Sequence, residues 1–421
     1  MAPTLEQDIA IIGAGISGLT LALFLDQHNI PCTVYDLRSA ERLPYSGPLA
    51  LTPNGLRAAD AVGLYKQLLP LGTSARHVTT ISNENMLLDQ REIGNAERYS
   101  YDALRVYRKD VINVLQDMVE RSSVDVVYEK RFSRILAETG KDVTLEFSDG
   151  EQKVHTLVVG ADGIHSAVRK DLHPQAKPRY VGRLAVAAMA PTSAIKLPFA
   201  DYPLPTSVGS PFGHVILCPN DKADPACPVA TGIQYPEQTR EGWQDLENNK
   251  DELLSILRSN YDRWNSTVQS AMDAVDPETL FMWPFYTISD LPTWKSSQGR
   301  VVLVGDSAHG LPPIGALGAN LALEDAVSLG HMIGGAYRGE AGWAAALDWW
   351  HTRRRERLAG VRRLTKDIAK KREEDRMFNG EQEQDQTSRD DSWVFSLDVG
   401  QEMQKWLEQV SVAESLKMPT P

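Results

Sequence analysis

Cysteine is scarce in this chain of 421 residues: Cys32, Cys218 and Cys227 stand far apart. No disulfide framework and no metal-ligand spacing emerges from three such residues, so no metal is expected and a reduced, intracellular setting is the default. Positive charge is also short, since 44 basic against 56 acidic residues leave a net charge of −12. That balance argues against nucleic acid or an anionic membrane as partner, while leaving room for a local basic pocket. Long apolar runs are missing too. The stretch Ile9–Leu25 is the best imitation of one, yet three glycines and two hydroxyl residues interrupt it. Glu6 and Asp8 precede it where a secretion signal carries Lys or Arg, and it is too short for a stable membrane span. The ending Lys417–Pro421 matches no retention, peroxisomal or lipidation signal, so a cytoplasmic protein is expected. With 42% hydrophobic and 24% charged residues, global disorder is excluded, and the length suits two domains or one interleaved unit.

What is present begins with a βαβ pattern. Ile9–Ile12 is a short β-rich run, Ser17–Gln27 is helical in pattern, and Val34-Tyr35-Asp36 closes a second strand. Asn54–Leu64 and Arg108–Glu120 read as helices with apolar faces. Val143, Leu145 and Phe147 alternate with polar residues before Asp149-Gly150, a hairpin signal leading into Val154–Val159. From about Tyr180 to Met282 short apolar runs (Leu184–Met189, His214–Cys218, Ala230–Ile233) lie between Pro, Gly and Ser clusters. This predicts a mostly antiparallel sheet with a helix near Asp251–Tyr261. Ala319–Ile333 and the basic stretch from Trp349 to about Lys370 read as helices, and Arg372–Asp391 as a polar link. Met403, Trp406, Leu407 and Val410 recur at helical spacing, which predicts a docking helix at the end. No internal repeat is found.

Three short motifs carry the chemistry. In the first, Gly13-Ala14-Gly15-Ile16-Ser17-Gly18 follows a strand and opens a helix. Gly13 permits the tight turn, Gly15 lets the backbone approach a pyrophosphate, and Gly18 allows close helix–strand packing. Asp36 then ends the second strand, placed to accept hydrogen bonds from ribose hydroxyls. The second motif is Val158-Val159-Gly160-Ala161-Asp162-Gly163, followed by Ser166 and Arg169. The third is Val301-Val302-Leu303-Val304-Gly305-Asp306-Ser307-Ala308-His309. Taken singly, Asp162-Gly163 also reads as an ordinary turn and Asp306 as a helix cap.

In this order the motifs resemble those of the class A flavoprotein monooxygenases, the p-hydroxybenzoate hydroxylase fold, over roughly Asp8 to Lys370. There is also a looser likeness to tetracycline-inactivating and fungal natural-product members, the latter at Trp294 and Trp393-Val394-Phe395. The resemblance implies an α/β fold in which a Rossmann-like FAD-binding domain is interleaved with a mostly antiparallel substrate domain, with C-terminal helices. It divides the chain into an FAD-binding part (1–73, 101–179, 283–370), a substrate part (74–100, 180–282) and a polar link with docking helix (371–421). It also implies that Asp162 lies near the pyrophosphate and that Asp306 holds the ribityl chain. Gly318, Ala319 and Asn320 would face the isoalloxazine ring from a helix start, whose positive end suits a reduced flavin. Arg108 matches a family arginine at a cofactor-touching helix, Arg38 would border the adenine, and Arg42 is a candidate for holding the reducing nucleotide. Gly47, within Ser46-Gly47-Pro48-Leu49, would pass close to the ring, with Leu51 in place of a polar contact. Ala316-Leu317-Gly318 stands where relatives commonly have Gly-Gln-Gly, and the Trp-X-Trp-X-Ile-Pro signature of flavin halogenases is absent.

The reaction implied uses NADPH or NADH to reduce FAD. O₂ then adds, and a flavin hydroperoxide delivers one oxygen to an electron-rich aromatic or polycyclic small molecule. Such chemistry belongs to the cofactor, which explains why no general-base constellation stands out. His309 reads as structural. Tyr180, His214 and Tyr286 are candidates for the substrate side, with core or surface roles the more ordinary reading. A flavin dehydrogenase or reductase on the same fold, and a flavin-binding protein without turnover, remain the alternatives. A plain NAD-dependent dehydrogenase leaves the second and third motifs unexplained.

Overall fold

The computed structural model describes residues 8–41, 47–219, 226–376 and 390–415. Apolar runs with no polar alternation must be covered on both faces, and four of them build the centre of a parallel sheet. Its order is Val301–Leu303, Leu157–Gly160, Ile9–Ile12, Cys32–Tyr35, Asp125–Val127, with Ile9 level with both Leu157 and Cys32. The helix Ile16–Gln27 and the long, almost wholly buried helix Gly318–Tyr337 pack together on one side.

The expected hairpin after Val143 forms only in part. Gln152–His155 pairs antiparallel with Val143–Phe147 around the Asp149-Gly150 turn, but Leu157–Gly160 leaves it for the parallel sheet. All four residues of that run are buried, which a two-strand ribbon cannot provide. The helix expected over Asn54–Leu64 is two helices, Pro53–Ala61 and Leu64–Leu68, broken where Gly63 takes φ +77°. Arg108–Glu120 is helical as expected. The basic helix runs from Trp343 to Arg376, so the segment expected as a link begins helical, and residues 377–389 of it lie outside the described residues. The final helix Val399–Ser415 docks through buried Met403 and Leu407, with Trp406 stacked on Trp349 at 4.9 Å.

A seven-stranded sheet carries a second core of Leu184, Val186, Val215, Val229, Leu253 and Trp264. Its order is Asp276–Thr287, Arg179–Pro191, Ala226–Gln234, Gly213–Leu217, Thr206–Ser210, His77–Ser82, Leu87–Glu92. Every pairing is antiparallel except that of Thr206–Ser210 with His77–Ser82. A small sheet of Pro48–Leu51, Ala103–Tyr107 and Thr73–Ala75 completes the architecture. Among the described residues no helix is long and apolar enough to cross a membrane.

Candidate active site

The three motifs follow three neighbouring parallel strands, so their loops meet at one edge of the sheet. Backbone proximity locks them together. Gly13 has φ +112°, and a Cβ there would lie 2.6 Å from the Ala161 carbonyl oxygen. Gly305 has φ +59°, and a Cβ there would strike the Ser17 hydroxyl at 2.3 Å. Neither position accepts a larger residue without separating its loop from the next. Gly18 packs its Cα against the Gly13 carbonyl, as expected, and Gly15 faces open space apart from Ala161.

Arg169, which the sequence places at the end of the second motif, is the brace between motifs, a role its letters do not show. Its guanidinium donates to the carbonyls of Ile164, Ala176, Ser307 and Asp306, tying the second motif to the third. Ser307 Oγ adds a bond to the Gly160 carbonyl at 2.5 Å. Burial pulls the Arg169 pKa down from its ordinary value, with Asp162 and Asp306 acting against that. Burial of Arg169 among carbonyls is not visible in a motif of polar letters.

The two motif aspartates have different roles. Asp162 accepts from Ser166 Oγ and from the amides of Ala167 and Val168, capping the helix Ala167–Leu172. Its carboxyl is raised by burial, against those hydrogen bonds. Asp306 makes no side-chain hydrogen bond among the described residues and lies beside Gly318, where a Cβ would sit 3.9 Å from its carboxylate oxygen. Two helix starts open onto the same edge without a side-chain cap or a first-turn acid, at Gly15 and at Leu317. Free amides at two helix ends and an unspent carboxylate form a donor and acceptor set suited to a diphosphate and polyol hydroxyls.

Asp36 ends the next strand of the sheet. It accepts from the Ala14 amide at 2.6 Å and from the Arg38 amide, Nε and Nη2. Burial raises its pKa, but Arg38 and Ala14 outweigh that and hold it below the usual carboxylate range. Arg38 remains half exposed above it. Gly47 meets Arg108 directly, the Arg108 amide donating to the Gly47 carbonyl at 3.1 Å, while the exposed Arg108 guanidinium has no partner among the described residues. Arg42 and Ser46 lie outside the described residues.

The loop before the long helix holds Ala316 at φ +56°, the left-handed region that disfavours an L side chain. Asn320 spends its side chain on scaffold: it accepts from the Thr52 amide and donates to the carbonyls of Ala50 and Ala316. The amides of Gly318, Ala319 and Asn320 precede the first i−4 bond of the helix, made by Leu321. Below them runs a buried charge network also missed from sequence. Glu324 is bound by Arg354, Arg357 and Asn54, and Asp325 by Arg354, His309 and the Gly305 amide. Burial would raise both acids, yet the arginines, and His309 for Asp325, hold each at about 2. His309 is thus structural, as expected. The Glu324-Asp325 pair on the helix from Gly318 and two arginines three residues apart on the helix from Trp343 were the available signal.

On the opposite side, Phe281, Trp283 and Phe285 stack along one face of the strand Asp276–Thr287, while Leu280 and Met282 face the second core. A Cβ on Gly47 would sit 3.6 Å from the Phe281 ring and 3.8 Å from Trp283. The other aromatic candidates are paired: Tyr180 donates to the Tyr235 carbonyl, and Tyr286 accepts from Trp243 Nε1. His214 packs beside Gly232.

Residues 6–365 match a family model described as an FAD binding domain. The chain belongs to this family. Its relatives include 3-amino-4-hydroxybenzoate 2-monooxygenase of Streptomyces cremeus, 30% identical over 324 residues, 76% of this chain and 77% of the relative. They also include 6-hydroxynicotinate 3-monooxygenase of Pseudomonas fluorescens, 28% identical over 93% of this chain and 95% of the relative. A salicylate hydroxylase substrate complex shares the fold, with TM-score 0.74 and 19% identity over 97% of this chain and 98% of the other. This family member is an FAD-dependent monooxygenase of the class A fold. The dehydrogenase and non-catalytic alternatives give way to that reading.

Proposed function

We propose that this flavoprotein hydroxylates a small, electron-rich aromatic compound, drawing electrons from NADPH or NADH and oxygen from O₂. One observation carries the placement of the reaction: the three motif loops converge on an edge with two uncapped helix starts and the free Asp306 carboxylate. In this reading the amides following Gly15 take the diphosphate, and Asp306 accepts from the ribityl hydroxyls. Arg38 swings aside to share Asp36 with the ribose, and Arg108 reaches the cofactor from beside Gly47. The amides of Gly318, Ala319 and Asn320 stabilise negative charge on the ring. Asp162 acts indirectly, by fixing the second motif's helix. Bound FAD supplies the redox and oxygen-activating chemistry; the chain's task is to orient the aromatic ring and keep water away. The stacked face of Phe281, Trp283 and Phe285 supplies an apolar wall for that. The named relatives act on hydroxylated benzoate and nicotinate rings, which supports a substrate of similar size.

Four measurements test this. The purified protein should be yellow, and NADPH oxidation should accelerate with an accepted aromatic. Under ¹⁸O₂ the product should carry one labelled atom; unlabelled product sinks the monooxygenase reading. Asp306→Ala should lower FAD occupancy at least tenfold while the fold, followed by circular dichroism, persists.

A further inference from the structure

The strand Ala103–Tyr107 turns Leu104 and Val106 into the main core and leaves Arg105 for the opposite face. Arg105 is only 4% exposed, yet its Nε and Nη1 are buried without a hydrogen-bond partner. Its cross-strand neighbour Thr73 has a buried, unpartnered hydroxyl as well. Directly paired residues of an antiparallel ladder share a face, so cation and hydroxyl stand side by side. Both line a cavity of about 410 Å³ between the small sheet and the seven-stranded one, with Ser74, Thr79, Gln90 and Pro205 among its walls. Among the described residues no Asp or Glu lines it. Arg76 at its edge is occupied by Asp102 and Glu97.

Backbone pairing connects the cavity wall to the proposed reaction site. On its other side Arg105 pairs with Ala50, and the Ala50 carbonyl holds Asn320 at the start of the helix Gly318–Tyr337. Burial pushes up the thiols of Cys218 and Cys227, with the Arg105 charge acting against it. An unpaired buried guanidinium is costly, and planar forked donors beside a hydroxyl match a carboxylate. The volume suits one small aromatic ring.

We infer that Arg105 and Thr73 bind the carboxylate of an aromatic acid substrate and thereby orient its ring toward the flavin site. This deepens the hydroxylase reading and rests on it for the identity of the reaction, though not for binding. The test titrates the FAD-loaded enzyme with 3-amino-4-hydroxybenzoate, 6-hydroxynicotinate and salicylate, and with their primary amides, following flavin absorbance. At least one acid should bind ten times more tightly than its amide. Arg105→Met should abolish that preference, Arg105→Lys keep part of it, and Thr73→Val weaken acid binding a few-fold. Equal binding of acids and amides by the native enzyme, no binding of any acid, or an undiminished preference in Arg105→Met overturns the inference.

Thermal melting separates ligand binding from bracing. Substrate-free Arg105→Met, loaded with FAD, should melt at or above the native temperature, because an uncompensated charge has been removed. A fall of several degrees would make Arg105 a structural brace and overturn the inference. The two readings also fail differently. Acids held through Arg105 but never labelled from ¹⁸O₂ leave the anchor standing and defeat the hydroxylase. A neutral phenol hydroxylated equally well by Arg105→Met, with acids ignored, does the reverse.

Discussion

Two buried sets of charge lie within one chain and behave as opposites. Glu324 and Asp325 are fully buried, and each carboxylate oxygen meets a donor from Arg354, Arg357, Asn54, His309 or the Gly305 amide. Arg105 is nearly as buried and two of its nitrogens meet nothing. The first set joins the third motif to two helices and needs no ligand to be complete. The second stays incomplete until an anion arrives. A satisfied buried charge is a joint, and an unsatisfied one beside a cavity is a socket.

The largest expected effect breaks the joint. Arg354→Met takes a cation from both acids, and loss of one partner from such a network costs about 3–5 kcal/mol. Urea unfolding should show it, and FAD occupancy should fall with it because Asp325 holds the Gly305 amide. If stability is unchanged, the network is not the joint described.

Acid attacks the same joint. Both carboxyls sit at about 2 in the folded chain, below their ordinary values of 4.5 and 3.8. Their contribution is therefore fully present above about pH 5 and lost as pH falls toward 2. His331 and His351 add to this from higher pH. Burial, with neighbouring cations, lowers each from 6.5 to about 4, so their contribution fades between those values as the unfolded chain takes up protons first. Melting temperature should decline from about pH 6.5 downward and go on declining below 4.5, the histidines acting first and the acids after them. A maximum near pH 4 would contradict the assignment.

Emptying the socket should act in the other direction and by less. Arg105→Met should gain about 1–3 kcal/mol in the substrate-free enzyme, the cost of a buried unsatisfied group. Denaturant melts of native and variant protein, with and without the tightest acid, sharpen the contrast, since the acid should stabilise only the former.

The smallest effect concerns the loop between the two. Ala316 in the left-handed region costs about 1–2 kcal/mol relative to glycine. The flexibility that glycine adds to the unfolded chain offsets up to about 1 kcal/mol of that. Ala316→Gly should therefore raise stability by at most about 1 kcal/mol with FAD retained, and a clear loss would mean the methyl packs usefully.

Much of the fold was legible because it is local. Ile9–Ile12, Arg108–Glu120 and the docking helix follow from periodicity, and Gly13, Gly18 and Asp36 occupy the places their motif requires. The run after Asp149-Gly150 misled because hairpin and parallel-sheet strands look alike over a few letters, and burial on both faces decided between them. Asp162 and Asp306 look equivalent as letters. Their difference arises from helix amides that bond the Asp162 carboxylate, while that of Asp306 makes no side-chain hydrogen bond among the described residues.

The sequence by itself determined that three nucleotide motifs exist, in which order, and on which kind of element. Strand-turn-helix patterns are written by neighbours a few residues apart, so no distant contact is needed to read them. Only the tertiary structure decided which polar groups are spent and which are free. Arg105 is one charged letter in an apolar strand, and nothing local distinguishes it from Arg169 or Arg354. Packing buries all three, gives Arg169 carbonyls and Arg354 carboxylates, and leaves Arg105 facing a cavity. Partners for a buried charge come from segments tens to hundreds of residues away, and that is information the chain acquires on folding.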